Sequence, residues 1–88
     1  MNEIVMYTSD WCPFCYRAEQ LLRRKGIEQI TRINVGGDLD MRMAMIQRSG
    51  RRTVPQIFIG ETHVGGYDDL AALEREGRLD ALLASGAG

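Results

Sequence analysis

Tyr7-Thr8-Ser9-Asp10-Trp11-Cys12-Pro13-Phe14-Cys15-Tyr16-Arg17-Ala18 is where the chain changes its apolar period, and that change decides the fold. Before it, Glu3 to Thr8 is dense in Ile, Val and Tyr, with apolar side chains at consecutive positions, as in a strand covered on both faces. From Pro13 onward the apolar residues recur at helical spacing. Cys15, Ala18, Leu21 and Leu22 form one face, and Arg17, Glu19, Gln20, Arg23 and Arg24 the other. The two cysteines lie at this hand-over. Cys12 falls at or beside the helix N-cap, where unpaired backbone N–H groups and the positive helix end favour a thiolate. Pro13 suits the first helical position, where a missing N–H costs nothing. Cys15 follows by three residues on the same face, within reach of a disulfide to Cys12. The pattern predicts a redox pair in which Cys12 is the attacking sulfur.

Downstream, Gly26 marks the end of the first helix, and Glu28 to Val35 reads as a second strand with Ile33 and Val35 on one face. Asp38 or Asp40 caps a second helix, with Met41, Ala44 and Met45 inward, that ends near Ser49-Gly50. Gln56–Ile59 and Thr62–Val64 are two short strands around a Gly60-Glu61 hairpin turn. Gly65-Gly66 precedes a helix from about Asp68 to Glu76, closed by Gly77, and Leu79, Leu82 and Leu83 indicate a final helical turn or two. A strand, helix, strand beginning requires a right-handed crossover to a parallel partner, and the later hairpin adds antiparallel strands. The expected architecture is α/β: a mixed four-stranded sheet with helices on both faces, in the order β-α-β-α-β-β-α-α. Residues 1–84 are expected to form one domain, with 85–88 a flexible tail that has nothing to bury.

The bulk numbers restrict the function classes. The chain has 88 residues, 44% of them apolar and 26% charged, with a formal net charge of −1, as in an ordinary globular domain. The basic excess needed for nucleic acid or an anionic membrane is missing, and no apolar run approaches the roughly 18 residues of a membrane span. Met1-Asn2-Glu3 carries no positive charge ahead of its apolar run, so a signal peptide is not expected. Two cysteines in such a chain point to the cytoplasm, where cysteine pairs are redox-active or metal-binding rather than structural. One C-x-x-C and a lone His63 do not supply a tetrahedral metal site within one chain, so no metal is expected.

Two further motifs bear on a binding groove. Thr53-Val54-Pro55 stands directly before a strand, where proline belongs because it lacks the ladder N–H. A cis Val54–Pro55 bond there would leave the Val54 backbone free for an extended peptide-like ligand, and a trans proline at a strand start is the simpler alternative. Gly65-Gly66-Tyr67-Asp68-Asp69 permits close backbone approach and opens a helix whose N–H groups suit a carboxylate. By itself the same stretch also reads as a Gly-Gly turn with an N-capping Asp68.

Taken together, these motifs, with Arg17-Ala18 after the second cysteine and Gly50-Arg51-Arg52 before Thr53, resemble the glutaredoxins, specifically the short bacterial dithiol class. The resemblance spans nearly the whole chain. It implies a thioredoxin fold, a cis proline, Cys12 as nucleophile, Cys15 as resolving thiol, and glutathione as co-substrate with no permanently bound cofactor. It further implies a glutathione site made of Phe14, Thr53, Val54, Pro55, Gly66, Tyr67 and Asp68, with Arg51 or Arg52 for the glycyl carboxylate. The implied partners are glutathionylated proteins and disulfide-containing proteins such as ribonucleotide reductase, acted on by a monomer.

Three positions depart from the pattern. Ser9 replaces a lysine, Phe14 a tyrosine and Trp11 a threonine, so weaker glutathione binding or a less depressed Cys12 pKa, and a shielding or substrate-contacting role for Trp11, are expected. Two rival readings follow from these departures. One is a redoxin reduced by thioredoxin reductase that serves ribonucleotide reductase, which the loss of the lysine favours. The other is a carrier of a glutathione-ligated [2Fe–2S] cluster, which Pro13 disfavours by stiffening the loop.

Overall fold

β1 (Ile4–Thr8) is the strand on which the other elements assemble in this computed structural model, which describes residues 2–84. It is followed by α1 (Pro13–Arg24), β2 (Thr31–Asn34), α2 (Leu39–Ser49), β3 (Gln56–Ile59), β4 (Thr62–Gly65), α3 (Tyr67–Arg75) and α4 (Leu79–Ala84). The sheet order is β2-β1-β3-β4, with β1 parallel to β2 and antiparallel to β3, and β3 antiparallel to β4. This is the mixed four-stranded sheet expected from the element order. The expected tail, 85–88, lies outside the described residues.

Alternation along β1 explains why both faces need helices. Ile4 and Met6 join Ile57 and Ile59 under α1, α3 and α4, which contribute Ala18, Leu21, Leu22, Leu70, Leu79 and Leu83. Val5 and Tyr7 point the other way and pack with Val35, Phe58 and Met45 of α2. Two successive residues of one strand thus belong to two cores, the signature of a central strand.

Three expectations are corrected. The second strand is shorter than Glu28–Val35. Upstream of Thr31 the β2-facing edge of β1 is already taken, because Asn2, the next residue that faces β2 before Ile4, donates its N–H to the Leu83 carbonyl. Ile27 and Ile30 enter the core from a loop instead. On α2 only Met45 is fully buried; Met41 is 40% exposed and Ala44 also faces solvent. Met45 is joined on the inner side by half-buried Ile46, and the exposed Arg48 lays its guanidinium 3.9 Å from the Phe58 ring centroid, covering an aromatic that an apolar side chain would otherwise cover. Finally, α3 starts at Tyr67 with Gly66 as N-cap, so Asp68 lies inside the first turn rather than capping it. Of the two caps considered for α2, Asp38 is the one used, accepting from Met41 N–H at 3.0 Å.

Candidate active site

Cys12 is the N-cap of α1, with Pro13 in the first turn, and its Sγ lies 3.2 Å from the backbone N–H of Cys15. The two cysteines form a disulfide with a Cα–Cα separation of 5.2 Å. They are not equivalent. Cys12 is partly exposed, whereas Cys15, on the inner face of the helix with Ala18 and Leu22, is 4% exposed. An incoming disulfide therefore meets Cys12 first, and Cys15 receives no direct access from solvent. The helix N-terminus that holds Cys12 presents donors and a partial positive charge, the environment that favours a thiolate.

On one side of Cys12 lies a recess of about 210 Å³ lined by Phe14, Arg51, Thr53, Val54, Pro55, Gly66, Tyr67, Asp68 and Asp69. The Val54–Pro55 bond is cis, and the Val54 carbonyl stands 4.0 Å from Cys12 Sγ. The Phe14 and Tyr67 rings face each other at 6.3 Å between centroids and form two walls. The far end is the N-terminus of α3, where Gly66 brings the backbone close without a side chain. Every residue named from the sequence for the glutathione site lines this recess except Arg52, which is exposed outside it and whose carbonyl accepts from Arg42 Nη1 at 3.0 Å. Arg51 is the cation in the recess, and it is already paired.

That partner, Asp69, was not singled out from the sequence. One carboxylate oxygen accepts both the Gly66 N–H and Arg51 Nη1, each at 2.9 Å. The Gly66 N–H first, and Arg51 second, hold its carboxyl below the ordinary aspartate range. The available signal was the three-residue spacing from Gly66 to Asp69, the distance at which a helix side chain reaches back to the N-cap amide. Gln56 and His63 were likewise missed. Gln56 is completely buried at the start of β3, donates Nε2–H to the Thr53 carbonyl at 3.0 Å, and lies 2.8 Å from His63 Nε2. Burial, followed by Arg51, pushes the His63 pKa down.

A larger recess of about 580 Å³ flanks Cys12 on the opposite side, between Trp11, Tyr16, Ser9 and the Glu19–Arg32 ion pair. Arg32, then Arg23, holds the Glu19 carboxyl low. Trp11 does not shield the disulfide: it is 98% exposed, on a backbone with φ of 59°. No group of three or more His, Cys, Asp and Glu among the described residues is arranged to hold a metal ion, and no helix there is long and apolar enough to cross a membrane.

Comparison with known proteins agrees with this geometry. The Glutaredoxin family model matches residues 4–64. A glutaredoxin from Pseudomonas aeruginosa is 54% identical over 85 residues, covering 97% of this chain and all of that protein. The solution structure of glutaredoxin from Brucella melitensis superposes with a TM-score of 0.82 at 53% identity, covering 94% of this chain and 89% of that one. The crystal structure of a buckwheat glutaredoxin–glutathione complex also superposes with a TM-score of 0.82, at 32% identity, over 93% of this chain and 76% of that one. A sheet of this topology, a disulfide-forming Cys12–Cys15 pair at a helix N-terminus and matches of this extent place the chain in the glutaredoxin family, thiol–disulfide oxidoreductases of thioredoxin fold.

Proposed function

We propose that this protein is a glutathione-dependent oxidoreductase that reduces protein–glutathione mixed disulfides and protein disulfides in the cytoplasm, working as a monomer. The observation that carries the reading is the asymmetry of the pair: an accessible Cys12 with the Cys15 N–H 3.2 Å from its sulfur, and a Cys15 that is 4% exposed. The adjoining recess supports glutathione as the thiol. It runs from Val54, whose carbonyl is 4.0 Å from Cys12 Sγ, to the N-terminus of α3, and in this reading the Val54 backbone pairs with the cysteinyl unit. The γ-glutamyl carboxylate meets the amides at the start of α3, and its ammonium meets Asp68. Arg51 faces the glycyl carboxylate.

In the first half-reaction the Cys12 thiolate attacks the glutathione sulfur of the mixed disulfide. The protein thiolate leaves and takes up a proton, and Cys12 is left glutathionylated. The thiolate of a second glutathione attacks the glutathionyl sulfur of that adduct, forming oxidised glutathione and releasing the Cys12 thiolate. With a protein disulfide, Cys12 forms a mixed disulfide with the substrate. Cys15, losing its proton, then attacks Cys12, releases the second substrate thiol and closes the Cys12–Cys15 bond, which two glutathiones later reduce. Ribonucleotide reductase is one protein disulfide of this class.

Reduction of the Cys12–Cys15 disulfide by glutathione, compared with reduction by thioredoxin reductase and NADPH, tests the assignment. Glutathione is the expected reductant. Efficient reduction by the reductase alone, with none by glutathione, would replace this reading with that of a thioredoxin-reductase-linked redoxin.

A further inference from the structure

Gln56 is the one fully buried polar side chain among the described residues. Its hydrogen bonds fix its orientation. The Thr53 carbonyl only accepts, so the Gln56 group 3.0 Å from it is Nε2, with a second contact to Thr53 Oγ1 at 3.4 Å. Oε1 therefore faces His63, and His63 Nε2 carries the proton donated across 2.8 Å. This bond survives protonation of His63, because the second proton enters at Nδ1. The His63 ring is itself held against Phe58, with centroids 4.9 Å apart. The result is a fixed chain of contacts from β4, through the first residue of β3, to the Thr53 carbonyl.

The Thr53–Val54 peptide is trans, since the cis bond is the next one. In a planar trans peptide the C=O and the following N–H point in opposite directions. A Thr53 carbonyl tied inward to Gln56 thus turns the Val54 N–H outward, toward the recess beside Cys12. Among the described residues that N–H donates to no protein acceptor. We infer that Gln56, anchored by His63, is a positioning residue that aims the Val54 N–H at the backbone of a bound glutathionyl group. This inference rests on the glutathione-dependent reading above. Gln56 touches neither sulfur, so its effect falls on binding and alignment of the tripeptide and leaves the reactivity of Cys12 unchanged.

The test is Gln56→Met, which keeps length and volume while removing both hydrogen bonds, with His63→Phe as a second variant acting from the far end of the chain. Steady-state reduction of a glutathionylated peptide is measured beside alkylation of Cys12 by iodoacetamide across pH. Gln56→Met is expected to lower kcat/KM about tenfold, equivalent to losing about 1.4 kcal/mol, chiefly through KM. His63→Phe is expected to give a smaller change in the same direction, and the alkylation profile should not move in either variant. An unchanged KM in Gln56→Met overturns the inference, as does a fall in activity accompanied by an equal change in Cys12 alkylation. Absence of turnover in the unmutated protein would instead remove the glutathione reading itself.

Discussion

Asp69→Ala is the sharpest test of how the recess is built. The substitution removes one carboxylate oxygen that receives two donors, the Gly66 N–H and Arg51 Nη1, both at 2.9 Å. The first is a charge-assisted helix cap, worth about 1 kcal/mol in comparable positions. The second joins side chains that are 48% and 43% exposed, so solvent screening leaves it at roughly 0.2–1 kcal/mol. The expected loss is therefore about 1–2 kcal/mol, or roughly 5–15 °C in Tm for a domain of this size. The pH dependence has a definite sign. The Asp69 carboxyl is held below its ordinary value of 3.8 in the folded protein. Its contribution is fully present above that unfolded value and disappears as pH falls through the lower folded value. The gap between parent and variant should hold constant from neutral pH down to about pH 5 and close under stronger acid. Thermal unfolding followed by circular dichroism at several pH values measures it. A gap that stays constant to pH 2, or that is absent at pH 7, would refute the assignment of the carboxylate as cap and ion-pair partner.

Other outcomes follow from particular contacts. Cys15→Ser should retain reduction of glutathionylated peptide and lose reduction of protein disulfides, measured with the two substrates in parallel; loss of both activities would mean that the roles are misassigned. Ser9→Lys adds an exposed cation beside Cys12 and should lower KM for the glutathionylated substrate about two- to fivefold, an effect that salt weakens; the check is KM at low and high ionic strength. Trp11→Asn should raise Tm, because the side chain is 98% exposed and its φ of 59° costs about 1 kcal/mol for a bulky residue. Met45→Ala empties a fully buried site shared with Val5, Tyr7 and Phe58 and should cost about 2–5 kcal/mol in denaturant unfolding.

Most of the fold could be read because its signals are local. The period change at Pro13, the glycine stops and the two-residue hairpin turn each depend on neighbouring residues alone. The ends of β2 were not legible, since they depend on where the β2-facing edge of β1 is taken over by the Leu83 carbonyl at Asn2. The inward face of α2 was misread for a similar reason: an arginine covers Phe58 where the helical pattern asks for an apolar residue. At the site, Cys12, Cys15, Phe14 and the Thr53–Pro55 and Gly66–Asp68 segments were visible as motifs. Their supporting residues were not. Asp69 looks like one more acidic residue in a first turn, and Gln56 and His63 look like ordinary strand residues; their roles arise only when β3, β4 and α3 are brought together.

In the mechanism proposed above, Cys12 alone carries the exchange with glutathione. The most direct measurement is turnover of a glutathionylated peptide, coupled to glutathione reductase and NADPH, by the parent protein, Cys12→Ser and Cys15→Ser. Turnover is expected from the parent and from Cys15→Ser, and none from Cys12→Ser. Turnover that persists without Cys12, or is missing in the parent, would contradict it.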